Sequence, residues 1–262
     1  MARERIRLGG MALPNGVLVH GPTSWACAVR LPDGEVKVAS ARKRFVASGV
    51  RNPLLRGPAR LLEAFSLLPE LRRALPEARL PFERPQVLAA MLGSSVAVRL
   101  VRGSRLGPAA QELMSGLLSL APAAFALRGG ELAAYHGAEH VSIGSYEHDE
   151  PRAREHERCG THLVGPILAT TALGQYAASA LVPPPLRAPA RLAAQLGAVA
   201  VSTEIFGWMT RHPDSRLARA LARPGHEFQH RLATAEPSPE QLEVAEAALA
   251  ACLGLEPGGD RG

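Results

Sequence analysis

The run His136-Gly137-Ala138-Glu139-His140 sets two imidazoles and a carboxylate at positions i, i+3 and i+4. On a helix these positions share one face, so the three groups can converge on one point. Two neutral imidazoles suit a zinc-type ion, and a carboxylate one turn away can act as general base toward a water on that ion. Sixteen residues later the chain reads His156-Glu157-Arg158-Cys159-Gly160-Thr161-His162. Cys159 is the expected third ligand, because a thiolate is a soft donor within loop reach of the helix. His156, three residues before it, is the alternative. The plainer reading is that His136 and His140 are hydrogen-bonded helix histidines with no ion between them.

Other histidines carry less. His148 sits among Glu147, Asp149 and Glu150 and reads as part of a solvated acidic loop. His226 and His230 stand at i, i+4, but Glu227 between them lies off their shared face and Pro224-Gly225 precedes them. A second metal site there is not expected.

Further segments occur in a recognisable order. They are Gly9-Gly10-Met11-Ala12-Leu13-Pro14-Asn15-Gly16 through Pro22, Ala28 to Glu35, Pro53-Leu54-Leu55-Arg56-Gly57, Tyr135 to His140, Arg158-Cys159-Gly160-Thr161, and Gln229 to Pro237. Together they resemble the YqhQ-type family of bacterial membrane proteins, a family of unknown function described as predicted metal-dependent enzymes. The resemblance runs nearly end to end, with the histidine and Cys-Gly-Thr motifs its most specific parts. It implies a membrane location and a metal site, and it supplies no substrate. The chain departs from the family's usual text at four places. The family tends to carry Glu where Asn15 stands, Arg at His20, Lys at Val141, and His-Pro-Arg-Cys at His156 to Cys159. Asn15 cannot serve as a base.

The chain has 262 residues, 47% of them hydrophobic, enough for a sizeable core or for entry into a bilayer. Its pI of about 9.9 comes mostly from arginine. Aromatic residues make up only 4%, so nucleic acid is not the expected partner and an aromatic belt at a membrane interface would be weak. Three cysteines form no even disulfide framework, which suits a reducing compartment. No cleaved export signal is evident at the N-terminus.

The elements that must position these groups are mainly helical. Residues 1 to 85 are read as a cytoplasmic N-terminal region. Within it, Gly16 to His20, Trp25 to Leu31 and Glu35 to Ala39 are short strands, and Pro32-Asp33-Gly34 is the turn of a hairpin. An amphipathic helix follows over 53 to 75, with Leu61, Leu62, Phe65 and Leu68 as a core stripe. Residues 86 to 128 form a hydrophobic helical pair joined near Arg102 to Gly107, and 129 to 162 hold the metal motif. Residues 163 to 210 form a transmembrane hairpin, and 211 to 262 a cytoplasmic C-terminal helix and tail. Leu163 to Val182, uncharged throughout, is the best candidate span. The arginine-rich flanks put both termini in the cytoplasm by the positive-inside tendency. In the last segment Ser238, Pro239 and Gln241 make a capping box, Leu242, Ala245, Leu249 and Leu253 an apolar stripe, and the tail after Glu256 is expected to be loose.

Two acids interrupt apolar stretches. Glu204 is a site candidate, as an added ligand or a partner behind a ligating imidazole, with a helix-end charge near Arg211 as the alternative. Glu112 reads as a solvated charge near its helix start. The expectation is therefore a mainly helical integral protein of the bacterial inner membrane, in contact with membrane lipid. It would hold a divalent, zinc-type metal on His136, His140 and Cys159, with Glu139 as general base, and hydrolyse a peptide or amide bond. The alternative is a non-catalytic membrane scaffold or assembly factor with a structural zinc site.

Overall fold

The computed structural model describes residues 5–127 and 130–257. Most of the tail expected to be loose therefore lies outside the described residues. Strands β1 (Gly9–Leu13), β2 (Gly16–His20), β3 (Ser24–Arg30) and β4 (Val36–Arg42) form an antiparallel meander in chain order. The β3–β4 hairpin turns where the sequence places it, with Arg30 opposite Val36 and Gly34 at φ 91°. Strand β1 is not legible as a strand, because Gly9-Gly10 reads as a breaker. It pairs with β2 from Gly9 opposite His20 to Leu13 opposite Gly16, and the glycine lets the Glu139 carboxylate lie against it, since a Cβ at Gly10 would overlap that carboxylate.

Nine α-helices accompany the sheet among the described residues: α1 (Pro53–Phe65), α2 (Leu67–Ala74), α3 (Pro85–Arg102), α4 (Pro108–Leu127), α5 (Glu131–His148), α6 (Val164–Leu181), α7 (Arg187–Arg211), α8 (Arg216–Phe228) and α9 (Pro239–Leu253). Alternation along β2 and β3 splits two cores between the faces of the sheet. Val17, Val19, Ala26 and Ala28 pack against Tyr135, Ala138 and Ile143 of α5 and Val244, Ala245, Ala248 and Cys252 of α9. Leu13, Leu18, Trp25, Cys27 and Val29 pack against Leu67 and Leu71 of α2 and Leu75, Ala78 and Leu80 beyond it. At about 1.5–3 kcal/mol per fully buried leucine, Leu67 and Leu71 hold a helix too short to persist alone.

The other helices form a second body. Helices α3 and α4 make one antiparallel-type hairpin around 103–107, α6 and α7 another around Pro183 to Leu186, and α4 packs on α6. Helix α1 lies on α7, where Gly57 meets Thr203.

Four expectations change here. The single helix over 53 to 75 breaks at Ser66 into α1 and α2. Its expected core stripe faces outward: Leu61, Leu62 and Phe65 are exposed, and no residue of α1 is buried. Among the described residues two helices are long and apolar enough to cross a membrane, over Ala110–Leu127 and Pro184–Arg211; the favoured 163 to 182 run is not one of them, because α6 carries Thr170, Thr171, Gln175 and Ser179. Glu112 is buried rather than solvated, with its carboxylate 3.5 Å from Arg102.

Candidate metal centre

His136 and His140 project from one face of α5, with ring centroids 4.3 Å apart. Each imidazole is held from behind by a backbone carbonyl. His136 Nδ1 is 2.8 Å from the Ala233 oxygen, and His140 Nδ1 is 2.6 Å from the Arg154 oxygen. A carbonyl can only accept, so both Nδ1 atoms carry a proton, and in the neutral ring that leaves Nε2 with the lone pair a metal needs. His140 Nε2 is buried with no hydrogen-bond partner among the described residues. Burial pushes the His140 pKa down, which keeps the ring neutral, as a ligand must be.

Cys159 comes to the same point from the loop after α5. Ligand atoms of His136, His140 and Cys159 all lie within 4.8 Å of one another. With zinc–nitrogen bonds of about 2.0–2.1 Å and a zinc–sulfur bond of about 2.3 Å, a tetrahedral edge is about 3.5 Å. Cys159 Sγ lies 3.5 Å from His136 Nε2. The donor set therefore fits a zinc-type ion in chemistry and along its His136–Cys159 edge.

Glu139, one turn on from His136 along the same helix, reaches toward β1. Its carboxylate is buried against Gly10 and has no hydrogen-bond partner among the described residues. Burial pushes its pKa up, opposed by attraction to His136 and His156. That is the direction a general base needs to work near neutral pH.

Around the three donors lies a layer of positioning contacts that spacing did not reveal. Gln229, fully buried, opens a π-helical turn over Gln229–Ala233. Its Oε1 accepts from the His156 backbone N at 2.7 Å, and its Nε2 donates to Thr161 Oγ1 at 2.8 Å. The side chain thus clamps both sides of Cys159, while the same turn ends in the carbonyl that holds His136. Gly137 makes this possible, since a Cβ there would overlap the Ala235 oxygen and lift that segment off α5.

His156 stands in this layer and not among the grouped donors. Its ring centroid is 5.5 Å from that of His140, its Nδ1 accepts from Arg158 N at 3.2 Å, and its Nε2 faces Glu147 Oε2 at 3.4 Å. Glu147 also pairs with Arg158 and accepts from the Leu8 backbone N at 3.4 Å. Burial alone would raise the Glu147 pKa, but His156 and Arg158 together bring it below the usual carboxylate range.

The remaining candidates lie elsewhere. Glu204 pairs with Arg56 of α1 through both carboxylate oxygens, Arg56 Nε sitting 2.6 Å from Oε1. Asn15 fastens the β1–β2 turn to Glu77 O at 3.1 Å and to Arg79 N at 3.0 Å. His148 bonds Gly144 O at 3.0 Å, and His230 bonds Glu155 at 2.8 Å.

A family model described as a protein of unknown function (DUF1385) matches residues 131–255. Over that span the chain is similar to a family without an assigned activity. The span opens with the first residue of α5, contains all three donors, Glu139 and Gln229, and closes just past α9. No curated protein and no solved structure matches the chain.

Proposed function

We propose that this chain is a metal-dependent, zinc-type enzyme of a membrane, hydrolysing a peptide or amide bond. The observation that carries this reading is the pair of carbonyl-held imidazoles that gather with the Cys159 thiol, within electrostatic reach of the buried Glu139 carboxylate. A divalent cation held there supplies a Lewis acid and activates water at neutral pH. His136, His140 and Cys159 bind it, and the Ala233 and Arg154 carbonyls fix the two rings. Glu139 takes a proton from the attacking water on its carboxylate, and its burial makes it a stronger base than an exposed glutamate. No fourth protein donor joins the group among the described residues, which supports an open catalytic position over a closed structural one.

A second reading has its own support. A thiolate donor on a loop clamped by Gln229 also suits a scaffold or assembly factor whose zinc staples residues 156 to 161 to α5.

For location, the reading is the bacterial inner membrane with both termini cytoplasmic and lipid as partner. Outward leucines on five packed helices support it: Leu62 is 71% exposed, Leu92 71%, Leu117 55%, Leu181 80% and Leu196 65%. Exposed apolar side chains in this number need a cover, and a bilayer provides one.

Glu139→Gln separates the two chemical readings. If Glu139 is the base, the variant keeps its metal and melting temperature but fails to complement a deletion strain, because the amide cannot take the proton. Full complementation by a folded, metal-loaded variant ends the hydrolase reading.

A further inference from the structure

A groove of about 450 Å³ opens next to the centre, between the 155–162 loop and α8. His156 and Gln229 line it, and these two residues are bonded to each other and flank the loop that carries Cys159. Its opposite wall is a single stripe of α8, Arg219, Ala222, Arg223 and His226, at i, i+3, i+4 and i+7.

Charge in the groove is unevenly compensated. The two acids that line it are engaged: Glu155 pairs with His230 at 2.8 Å, and Glu157 lies 3.4 Å from His148 and 3.8 Å from Arg152. Arg219 bonds only the Asp214 backbone oxygen, at 2.7 Å, and neither Arg219 nor Arg223 pairs with a carboxylate among the described residues. Glu227, the one acid on α8, pairs with Arg231 at 2.9 Å. Two like charges at i, i+4 with no acid between them weaken a helix. A guanidinium presents a planar fork that fits two oxygens of a carboxylate or phosphate, and two such forks about 5–6 Å apart at Cβ suit a tetrahedral dianion better than a single carboxylate.

We propose that this groove is an oxyanion site that binds a phosphate-type group. The group belongs to the substrate of the neighbouring centre, and only that last step rests on the hydrolase reading. The chemistry is shared by a free phosphate compound and by a lipid phosphate headgroup, and α8 follows directly on the apolar helix α7, so both sources are to be tested.

The test is calorimetric titration of the full-length protein in a neutral detergent with inorganic phosphate, dihexanoyl phosphatidic acid and dihexanoyl phosphatidylcholine. Phosphate and phosphatidic acid should bind, phosphatidylcholine should not, and Arg219→Gln and Arg223→Gln should each weaken binding at least tenfold without moving the melting temperature, since both side chains are on the surface. The His136→Ala/His140→Ala variant should bind as well as wild type, because the arginines and not the metal hold the anion. Phosphatidic acid binding tenfold or more above phosphate identifies a lipid source, and equal binding a free phosphate compound. No binding, binding unchanged in the Arg219→Gln/Arg223→Gln double variant, or binding lost with the histidines overturns the proposal. Glu139→Gln leaves these titrations unchanged whether or not the hydrolase reading holds, so the two can fail separately.

Discussion

Gln229 bonds none of the three donors directly, yet it fixes two of them: the two ends of its amide grip the loop on either side of Cys159, and its turn presents the carbonyl behind His136. Gln229→Leu keeps the volume and removes these bonds, leaving the His156 N–H and the Thr161 hydroxyl unpartnered in a half-buried place, at up to about 1–3 kcal/mol each. Loss of such an outer contact typically weakens metal binding about 10–100-fold. Chelator competition on the purified variant should show that weakening, and an unchanged affinity would mean the loop holds itself. The pairing of His136 with His140 was legible in the sequence for a geometric reason: i, i+4 on a helix is a spacing, and a spacing can be read, whereas Cys159 was read only as a soft donor within loop reach. Gln229, Glu147 and the Ala233 and Arg154 carbonyls were not, because a bond from a side chain to a distant backbone leaves no period. Glu204 shows a related limit, since an acid in an apolar helix signals a partner without saying which, and the structure pairs it with Arg56.

Helix α9 shows the same division at the next scale. Its capping box of Ser238 and Gln241 forms as read, with Pro239 in the first turn. Of the stripe Leu242, Ala245, Leu249 and Leu253 only Ala245 is fully buried, beside Val244, Ala248 and Cys252, because close packing of a helix on the sheet takes small side chains in the middle and leaves the three leucines half-buried at the flanks. Past the helix, Glu256 latches this end to the β2–β3 turn through Ser24 Oγ at 2.6 Å and Thr23 Oγ1 at 2.7 Å. Burial alone would raise the Glu256 pKa, but these hydrogen bonds outweigh it and hold the carboxyl below its usual value. A depressed folded-state pKa adds stability that is fully present above the unfolded value, about 4.3 for glutamate, and is lost as the pH falls through the folded value. The melting-temperature gap between wild type and Glu256→Gln should therefore be constant from pH 7 to about 5 and shrink toward pH 3. A gap that stays level to pH 3 would show that the ionised form is not what binds Thr23 and Ser24.

At the scale of the whole molecule, segments that read as separate regions along the chain come together. The N-terminal sheet, α5 and α9 share one core, so the metal-motif helix is built on a platform drawn from both ends of the chain. Hydrophobic periodicity gives the elements and cannot give such long-range pairing, which is why the hairpins α3–α4 and α6–α7 were legible and this platform was not. The second body, with its outward leucines, should keep the protein in the membrane fraction through an alkaline wash, and release into the soluble fraction would instead mean that another protein surface covers those helices. The two bodies meet around the loop that carries Cys159, and the account stands or falls on what that loop and α5 hold between them. The most direct measurement is elemental analysis of the purified wild type beside the His136→Ala/His140→Ala variant. About one zinc or similar divalent ion per wild-type chain, absent from the variant, is the predicted result; a metal-free wild type, or stoichiometric metal retained without the two histidines, would contradict it.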